Sequence, residues 1–417
     1  MITRRALLAN GSLALASLLA ARSASAQGLQ YAQYQAEWAQ NYDAATRTRV
    51  ERIDTPILSP QTLAATEEMI ARYADIVARG GWGRIGDERL GLGSRSPGVV
   101  ALRRRLIQSG DLDPAAGSAD AYDSFVEAAV RRVQNRHGLT PTGAVNGATV
   151  VSLNVPADVR LQQLELNVVR LRAYSGSLGD RYVIVNMPSA TVEAVENGVV
   201  ASRHAAGVGK IDRPSPIFNS RITEINFNPF WTVPASIIRR DLIPLMQQNP
   251  SYLTDNRIRI FTHRGEEIAP EAVNWFSDEG TRYVFRQDPG GEFNSLGFVR
   301  INMPNTEQVY MHDTPARGIF GDDFRFVSSG CVRIQSVREL VVWLLAQEQG
   351  WDRGRIDDTF RSGERVDVRL ARPVNNYWTY ITAWATPDGT VQFRDDIYER
   401  DGIAGVPIAR APGSEDG

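Results

Sequence analysis

The chain holds a single cysteine, Cys331, in the run Ser328-Ser329-Gly330-Cys331-Val332-Arg333-Ile334, and one of its four histidines, His312, stands 19 residues upstream in Tyr310-Met311-His312-Asp313-Thr314-Pro315. A thiol is a strong nucleophile only as a thiolate, and an adjacent imidazole that takes its proton is a standard way of making one. Gly318 and Gly321 lie between the two and let the chain double back. Gly330 permits close backbone approach to a substrate carbonyl, with amide N–H groups near Gly330 and Cys331 facing a developing oxyanion. Arg333 follows the thiol by two residues; on an extended segment both side chains share a face, where the guanidinium can hold a substrate carboxylate. On residue types alone the same positions also fit an inert buried thiol, a structural imidazole and an ion-paired arginine.

The start of the chain bears on that choice. Arg4 and Arg5 precede the weakly apolar stretch 6–21, and Ala24-Ser25-Ala26 offers a small-residue cleavage site, so residues 1–26 read as an export signal of either the general secretory or the twin-arginine type. Its removal takes the formal charge from −2 to −5. An exported protein that relied on disulfides would carry paired cysteines, whereas this one carries a lone thiol in an oxidising compartment. The near-neutral balance provides no basic field for nucleic acid or anionic lipid. No later stretch is long and apolar enough to span a membrane. One cysteine and four scattered histidines show no metal-ligand spacing, and no glycine-rich phosphate loop is present, so neither metal nor cofactor is expected. Of the 46 basic residues only Lys210 is a lysine, which reads as lineage bias and leaves ion pairs to forked guanidiniums.

The elements that must position the dyad follow from periodicity. Residues 27–95 read as a helical scaffold segment, with Ser59-Pro60 starting a helix that carries Leu63, Met69, Ile70 and Tyr73. Residues 96–157 read as a compact three-helix module: Val99, Leu102 and Leu106 on one face, a Ser124–Glu127 capping box ahead of Val126, Val130 and Val133, then Thr149, Val150 and Leu153. A scaffold helix over 158–178 carries Leu161, Leu164, Val168 and Leu171 and should pack back on the first segment, which makes the module an insertion. From Arg181 the period changes to two, with Asn197-Gly198 as a hairpin turn, and a β-rich domain is expected over 179–370. Within it a stretch of helical character, about 235–286, interrupts the strands as a candidate lid. A helix over 336–349 is expected to start at a Ser336–Glu339 capping box, and 371–417 to form an extension packed on the domain.

The segment Ser328 to Arg333 with His312 upstream resembles the catalytic (YkuD) domain of L,D-transpeptidases, whose signature is a histidine followed by S-x-G-C-[IV]-R, with no motif position missing. The likeness extends to the large periplasmic branch of that family through Gly207-Val208-Gly209-Lys210, the run Ser215 to Ser220, Asn228-Pro229-Phe230-Trp231-Thr232-Val233-Pro234, Gln287-Asp288-Pro289-Gly290, Asn294-Ser295-Leu296-Gly297 and the tail Val391 to Tyr398. Residues 96–157 are similar to the peptidoglycan-binding type 1 module, through the first-helix run 102–106, Tyr122, His137-Gly138-Leu139, Gly143 and Leu153-Asn154. The resemblance implies an α+β multidomain protein with a twisted β-sandwich catalytic domain. It implies Cys331 as nucleophile and His312 as base and later acid, with Gly330, Tyr310, Ser329 and Arg333 as oxyanion or active-site support. Trp231, Asn294 and Ser328 become substrate-binding candidates. The implied reaction takes a peptidoglycan stem ending in diaminopimelate and D-alanine, forms a thioester with loss of D-alanine, and passes the acyl group to an amine in a 3-3 cross-link. Implied partners are stem peptides and, through the module, glycan; the implied location is the periplasm, and the implied inhibitors are carbapenems. An L,D-carboxypeptidase or endopeptidase on the same scaffold differs only in its acceptor, and a silent wall-binding protein would lack the thiol chemistry altogether. Asp313 is adjacent to His312 and would face away from it on a strand, so a backbone carbonyl is the expected partner of the imidazole.

Overall fold

The computed structural model describes residues 54–408, Ser175 excepted. The expected signal at 1–26, the scaffold stretch 27–53 and the end of the extension at 409–417 lie outside the described residues. No helix among the described residues is long and apolar enough to cross a membrane.

The helix Pro60–Ala78 begins where Ser59 accepts the amide of Thr62 at 3.1 Å, with Pro60 in the first turn, where its missing N–H costs nothing. Its face Met69 and Tyr73 meets Leu164 of the helix Ala157–Arg172, together with Val391 and Phe393 from the tail. Between these helices lies the three-helix module, Pro97–Ser109, Ser124–Arg136 and Gly147–Leu153, around Val99, Leu102, Leu106, Val126, Val130, Val133 and Leu153. The expected Ser124–Glu127 capping box is not formed. Asp123 is the cap, accepting the amides of Phe125 and Val126 at 3.1 Å each, and Glu127 pairs instead with Arg131 at 2.7 Å. A carboxylate one residue earlier takes the position because a charged acceptor binds the free amides more strongly than a hydroxyl.

The module is held by a buried bidentate pair, Arg136 to Asp111 at 2.8 and 2.7 Å, beside the tail strand containing Val391. Removing one partner strands a buried charge, so Asp111→Ala should lower stability by about 3–5 kcal/mol. Urea unfolding would show this as a lower midpoint; an unchanged midpoint would mean that Arg136 finds another partner or reaches water.

The β-rich region is built from β1 (Arg181–Asn186), β2 (Thr191–Glu196), β3 (Val199–Gly209), β4 (Phe218–Phe227), β5 (Trp231–Thr232), β6 (Ile258–Phe261), β7 (Glu267–Ile268), β8 (Val284–Gln287), β9 (Val299–Asn302), β10 (Met311–His312), β11 (Phe326–Ser328), β12 (Val332–Ile334) and β13 (Val366–Thr379); β14 (Ala383–Ala385) and β15 (Val391–Phe393) form a hairpin in the tail. The main sheet runs β11-β3-β12-β10-β9-β4-β13-β1-β2, and β3 also pairs with β2, so the long strand closes the sheet around one core. That core contains Val183, Val185, Ile225, Ile301, Met311, Val332 and Trp378, covered by Leu340 and Leu344 of the helix Val337–Leu345. β1 reads as an apolar run rather than an alternation because its other face, Tyr182 and Ile184, packs on Leu58 and Leu171 of the scaffold.

β13, which lies between β4 and β1, runs across the junction expected at 370/371 and carries the sheet on to Thr379; Pro373 sits at a register shift, where a missing N–H is tolerated. One helix start needs correction. The helix after β12 does not start with a Ser336–Glu339 box. Ser336 is left-handed (φ 50°) with no side-chain cap, the helix covers only Val337–Leu345, and Glu339 pairs with Arg353 at 2.6 Å.

The stretch expected as a lid has its own small core of Val233, Ile238, Leu242, Ile243, Leu253, Ile260 and Phe285, and its own sheet in the order β5-β8-β6-β7. Ile238–Leu242 forms a π-helical turn ahead of Pro244, which cannot donate an amide back into the helix.

Candidate active site

The sheet brings the two reactive residues together. β10 and β12 are parallel neighbours, with Met311 opposite Val332 and His312 opposite Arg333. One step back, the amide of Val332 donates to the carbonyl of Tyr310 at 3.0 Å, which sets Cys331 beside Tyr310. Cys331, His312, Tyr310, Arg333, Ser328, Ser329 and Trp231 all line one cleft of about 330 Å³. On the other side β9 sets Arg300 opposite His312. The imidazole therefore sits in a cross-strand row between two arginines.

The turn that carries Cys331 is held by the hydroxyls of Ser328, Ser215 and Tyr398. Ser328 Oγ donates to the carbonyl of Cys331 at 2.5 Å and accepts the amide of Gly330 at 3.1 Å. Ser215, fully buried, donates to the carbonyl of Gly330 at 2.8 Å and accepts the amide of Gly209 at 3.0 Å. Tyr398 in the tail donates to the carbonyl of Gly209 at 2.5 Å. Gly330 adopts φ 110°, open to glycine alone at little cost. The amide of Gly330 is thus used inside the turn and is not an oxyanion donor; the backbone candidate that remains is the N–H of Cys331.

The imidazole is oriented by the backbone. Nδ1 of His312 lies 2.5 Å from the carbonyl of Asp313, so the neutral ring carries its proton on Nδ1 and leaves the Nε2 lone pair to act as base. The Asp313 carboxylate turns the other way and accepts the amide of Phe298 at 3.0 Å. Tyr310 lies edge-on to His312, ring centroids 5.7 Å apart, and lines the cleft beside Cys331 and Trp231. The guanidinium of Arg300 stacks on the Tyr310 ring at 4.9 Å. Nε of Arg333 is buried without a hydrogen-bond partner, and no carboxylate pairs with this arginine among the described residues, so its charge is available to a ligand.

Burial and then the neighbouring Arg333 push His312 down to about 3, against the hydrogen bond it donates to the Asp313 carbonyl. Burial pushes the Cys331 thiol up to about 11, against the Tyr310 hydrogen bonds and the charges of Arg300 and Arg333. Both groups are therefore neutral at pH 7, so proton transfer has to accompany carbon–sulfur bond formation rather than precede it. Alkylation of Cys331 by iodoacetamide should accordingly keep rising with pH from 7 to about 10, because thiolate grows tenfold per unit below the thiol pKa. A plateau reached at pH 6–7 would instead reveal a preformed thiolate–imidazolium pair.

Asn294 departs from its expected role as a substrate contact. It is fully buried, donates to the carbonyls of Pro229 and Asp288 at 3.2 and 2.8 Å, and accepts the amide of Leu296, so it braces the loop beneath the lid. Ser328 lines the cleft, but its hydroxyl is spent on the nucleophile turn. Ser215, Arg300 and the Arg213–Asp241 pair described below were not anticipated. Only the alternation Val299-Arg300-Ile301 hinted that an arginine would face the dyad.

Residues 180–368 match the family model of the L,D-transpeptidase catalytic domain, and residues 95–153 that of a "Putative peptidoglycan binding domain". Residues 180–368 are thus similar to the L,D-transpeptidase catalytic domain. A protein of Haemophilus influenzae described as "Putative L,D-transpeptidase" is 32% identical over 243 residues, covering 58% of this chain and 48% of that protein. The chain thus spans about half the length of the curated relative it matches. Among solved structures, an L,D-transpeptidase from Stackebrandtia nassauensis is 12% identical, covering 74% of this chain and 100% of the other, with a TM-score of 0.27. One from Xylanimonas cellulosilytica is 13% identical, covering 71% and 100%, with a TM-score of 0.24.

Proposed function

We infer that this protein is a cysteine L,D-transpeptidase that remodels peptidoglycan. The observation that carries the reading is the cleft in which Cys331, an imidazole with its Nε2 lone pair free, the Tyr310 hydroxyl and an unpaired Arg333 converge. The thiol attacks the carbonyl joining diaminopimelate to the terminal D-alanine of a tetrapeptide stem, while Nε2 of His312 takes its proton. The Cys331 amide, with the Tyr310 hydroxyl, supports the oxyanion. The C–N bond breaks, His312 returns the proton to the departing D-alanine amine, and a thioester remains on Cys331. An amine of a second stem, deprotonated by His312, then attacks the thioester and releases the thiol, leaving a 3-3 cross-link. A substrate carboxylate on Arg333 would relieve the repulsion that depresses His312 and so raise its basicity as the site fills.

The three-helix module fits a role in holding the enzyme on peptidoglycan, and the export signal expected from residues 1–26 supports a periplasmic location in a Gram-negative-type cell. Incubating the mature protein with purified disaccharide-tetrapeptide and analysing the products by mass spectrometry tests the reaction. Dimers lacking one D-alanine are expected. Tripeptide monomers alone would replace the amine with water and make the protein an L,D-carboxypeptidase; an unaltered substrate would count against either enzyme.

A further inference from the structure

The loop after β3 and the first turns of the lid are joined by two ion pairs, and Asp212 also lies 3.5 Å from Nε of Arg213 on its own loop. Arg213 grips Asp241 with both terminal nitrogens, Nη1 to Oδ2 at 2.5 Å and Nη2 to Oδ1 at 2.9 Å, and Asp212 pairs with Arg240 at 2.9 Å. The same Nη1 of Arg213 donates to Ser329 Oγ at 3.0 Å, two residues before the nucleophile. Arg240 and Asp241 lie on the π-helical turn, and Arg213 and Asp241 both line the catalytic cleft. A forked guanidinium is the one cationic side chain that can hold a carboxylate bidentately and still donate to a third group. The two pairs differ in setting: the side chains of Arg213 and Asp241 are 15% and 31% exposed, those of Arg240 and Asp212 49% and 58%. Only the inner pair is sheltered enough from water to hold its two elements together.

We propose that Arg213 and Asp241 form a clasp that couples closure of the lid to the placement of the nucleophile turn, so that the acyl group on Cys331 is shielded from water while it waits for an amine. Arg213 and Asp241 are positioning residues: they act through Ser329 and the lid, not on the substrate. The part of this concerning the waiting acyl group rests on the thioester reaction inferred above; the mechanical coupling does not. When the clasp opens, the lid's first turn loses its tie to the loop after β3, and Ser329 loses the donor that holds its side chain. The cleft becomes both more open and less ordered. Because the inner pair is partly exposed, raising the salt concentration should weaken the clasp in the wild type in the same direction.

The test compares the mature protein with Asp241→Asn, Arg213→Lys and, as a control on the outer pair, Asp212→Asn. The first readout is the rate at which iodoacetamide alkylates Cys331, which needs no substrate; the second is the ratio of cross-linked dimer to tripeptide from disaccharide-tetrapeptide. Asp241→Asn should alkylate about fivefold faster and lower the dimer-to-tripeptide ratio about tenfold, as expected when a lid no longer excludes water. Arg213→Lys, which keeps the charge and loses the fork, should fall between it and wild type, and Asp212→Asn should stay within about twofold of wild type. Wild-type alkylation in both Asp241→Asn and Arg213→Lys, with circular dichroism unchanged, would overturn the clasp. If the wild type yields neither dimer nor tripeptide, the inferred reaction fails while the alkylation rates still decide the clasp.

Discussion

Replacing Cys331 with alanine should remove all turnover of tetrapeptide stems and leave the fold intact. The thiol is the only sulfur nucleophile in the chain, and its side chain belongs to the cleft rather than to the fully buried core. The nucleophile turn is held through the backbone of Cys331 and Gly330, by Ser328 and Ser215, so truncating the side chain cuts none of the bonds that shape it. Loss of covalent catalysis typically costs several powers of ten, which places Cys331→Ala at the detection limit. Its circular dichroism and thermal midpoint should match the wild type. A variant that still cross-links would remove Cys331 from the mechanism.

His312→Gln should lower the rate by about 10³-fold, near the middle of the range that general acid–base catalysis supplies. Glutamine can keep a hydrogen bond to the Asp313 carbonyl but cannot shuttle a proton. The loss should appear in kcat rather than KM, since His312 moves a proton and does not bind the stem. It should also be partly recovered at high pH, where hydroxide removes the thiol proton directly. Because burial holds the Cys331 thiol up at about 11, that recovery should still be incomplete at pH 9. An equal loss at every pH would assign His312 a structural role.

How much of this was legible in the sequence depended on whether a feature was local. The dyad could be read because Cys331 and His312 are chemically distinctive and close in the chain, and the carbonyl partner of His312 followed from strand alternation. Helix starts were read with mixed success. Ser59-Pro60 caps its helix, whereas Ser124 gives way to Asp123, and Ser336 is held in a left-handed turn by the tight exit from β12 into the helix that covers the core. The continuation of the sheet past residue 370 was not legible, because Pro373 is accommodated only by a register shift within the longest strand. Asn294 reads as a polar residue near the site, and nothing in its neighbourhood discloses that three backbone groups consume its amide. The Arg213–Asp241 clasp was out of reach for another reason: its partners are 28 residues apart on different elements, and the π-helical turn that aims Asp241 depends on how the lid packs.

The most direct test of the central claim is to trap the acyl-enzyme. Wild-type protein mixed with disaccharide-tetrapeptide, quenched in acid within the first turnover and digested, should yield the peptide containing Cys331 with the mass of the disaccharide-tetrapeptide less one D-alanine added, and Cys331→Ala should yield none. Substrate consumed at the wild-type rate while the Cys331 peptide remains unmodified at every quench time would contradict a thioester mechanism.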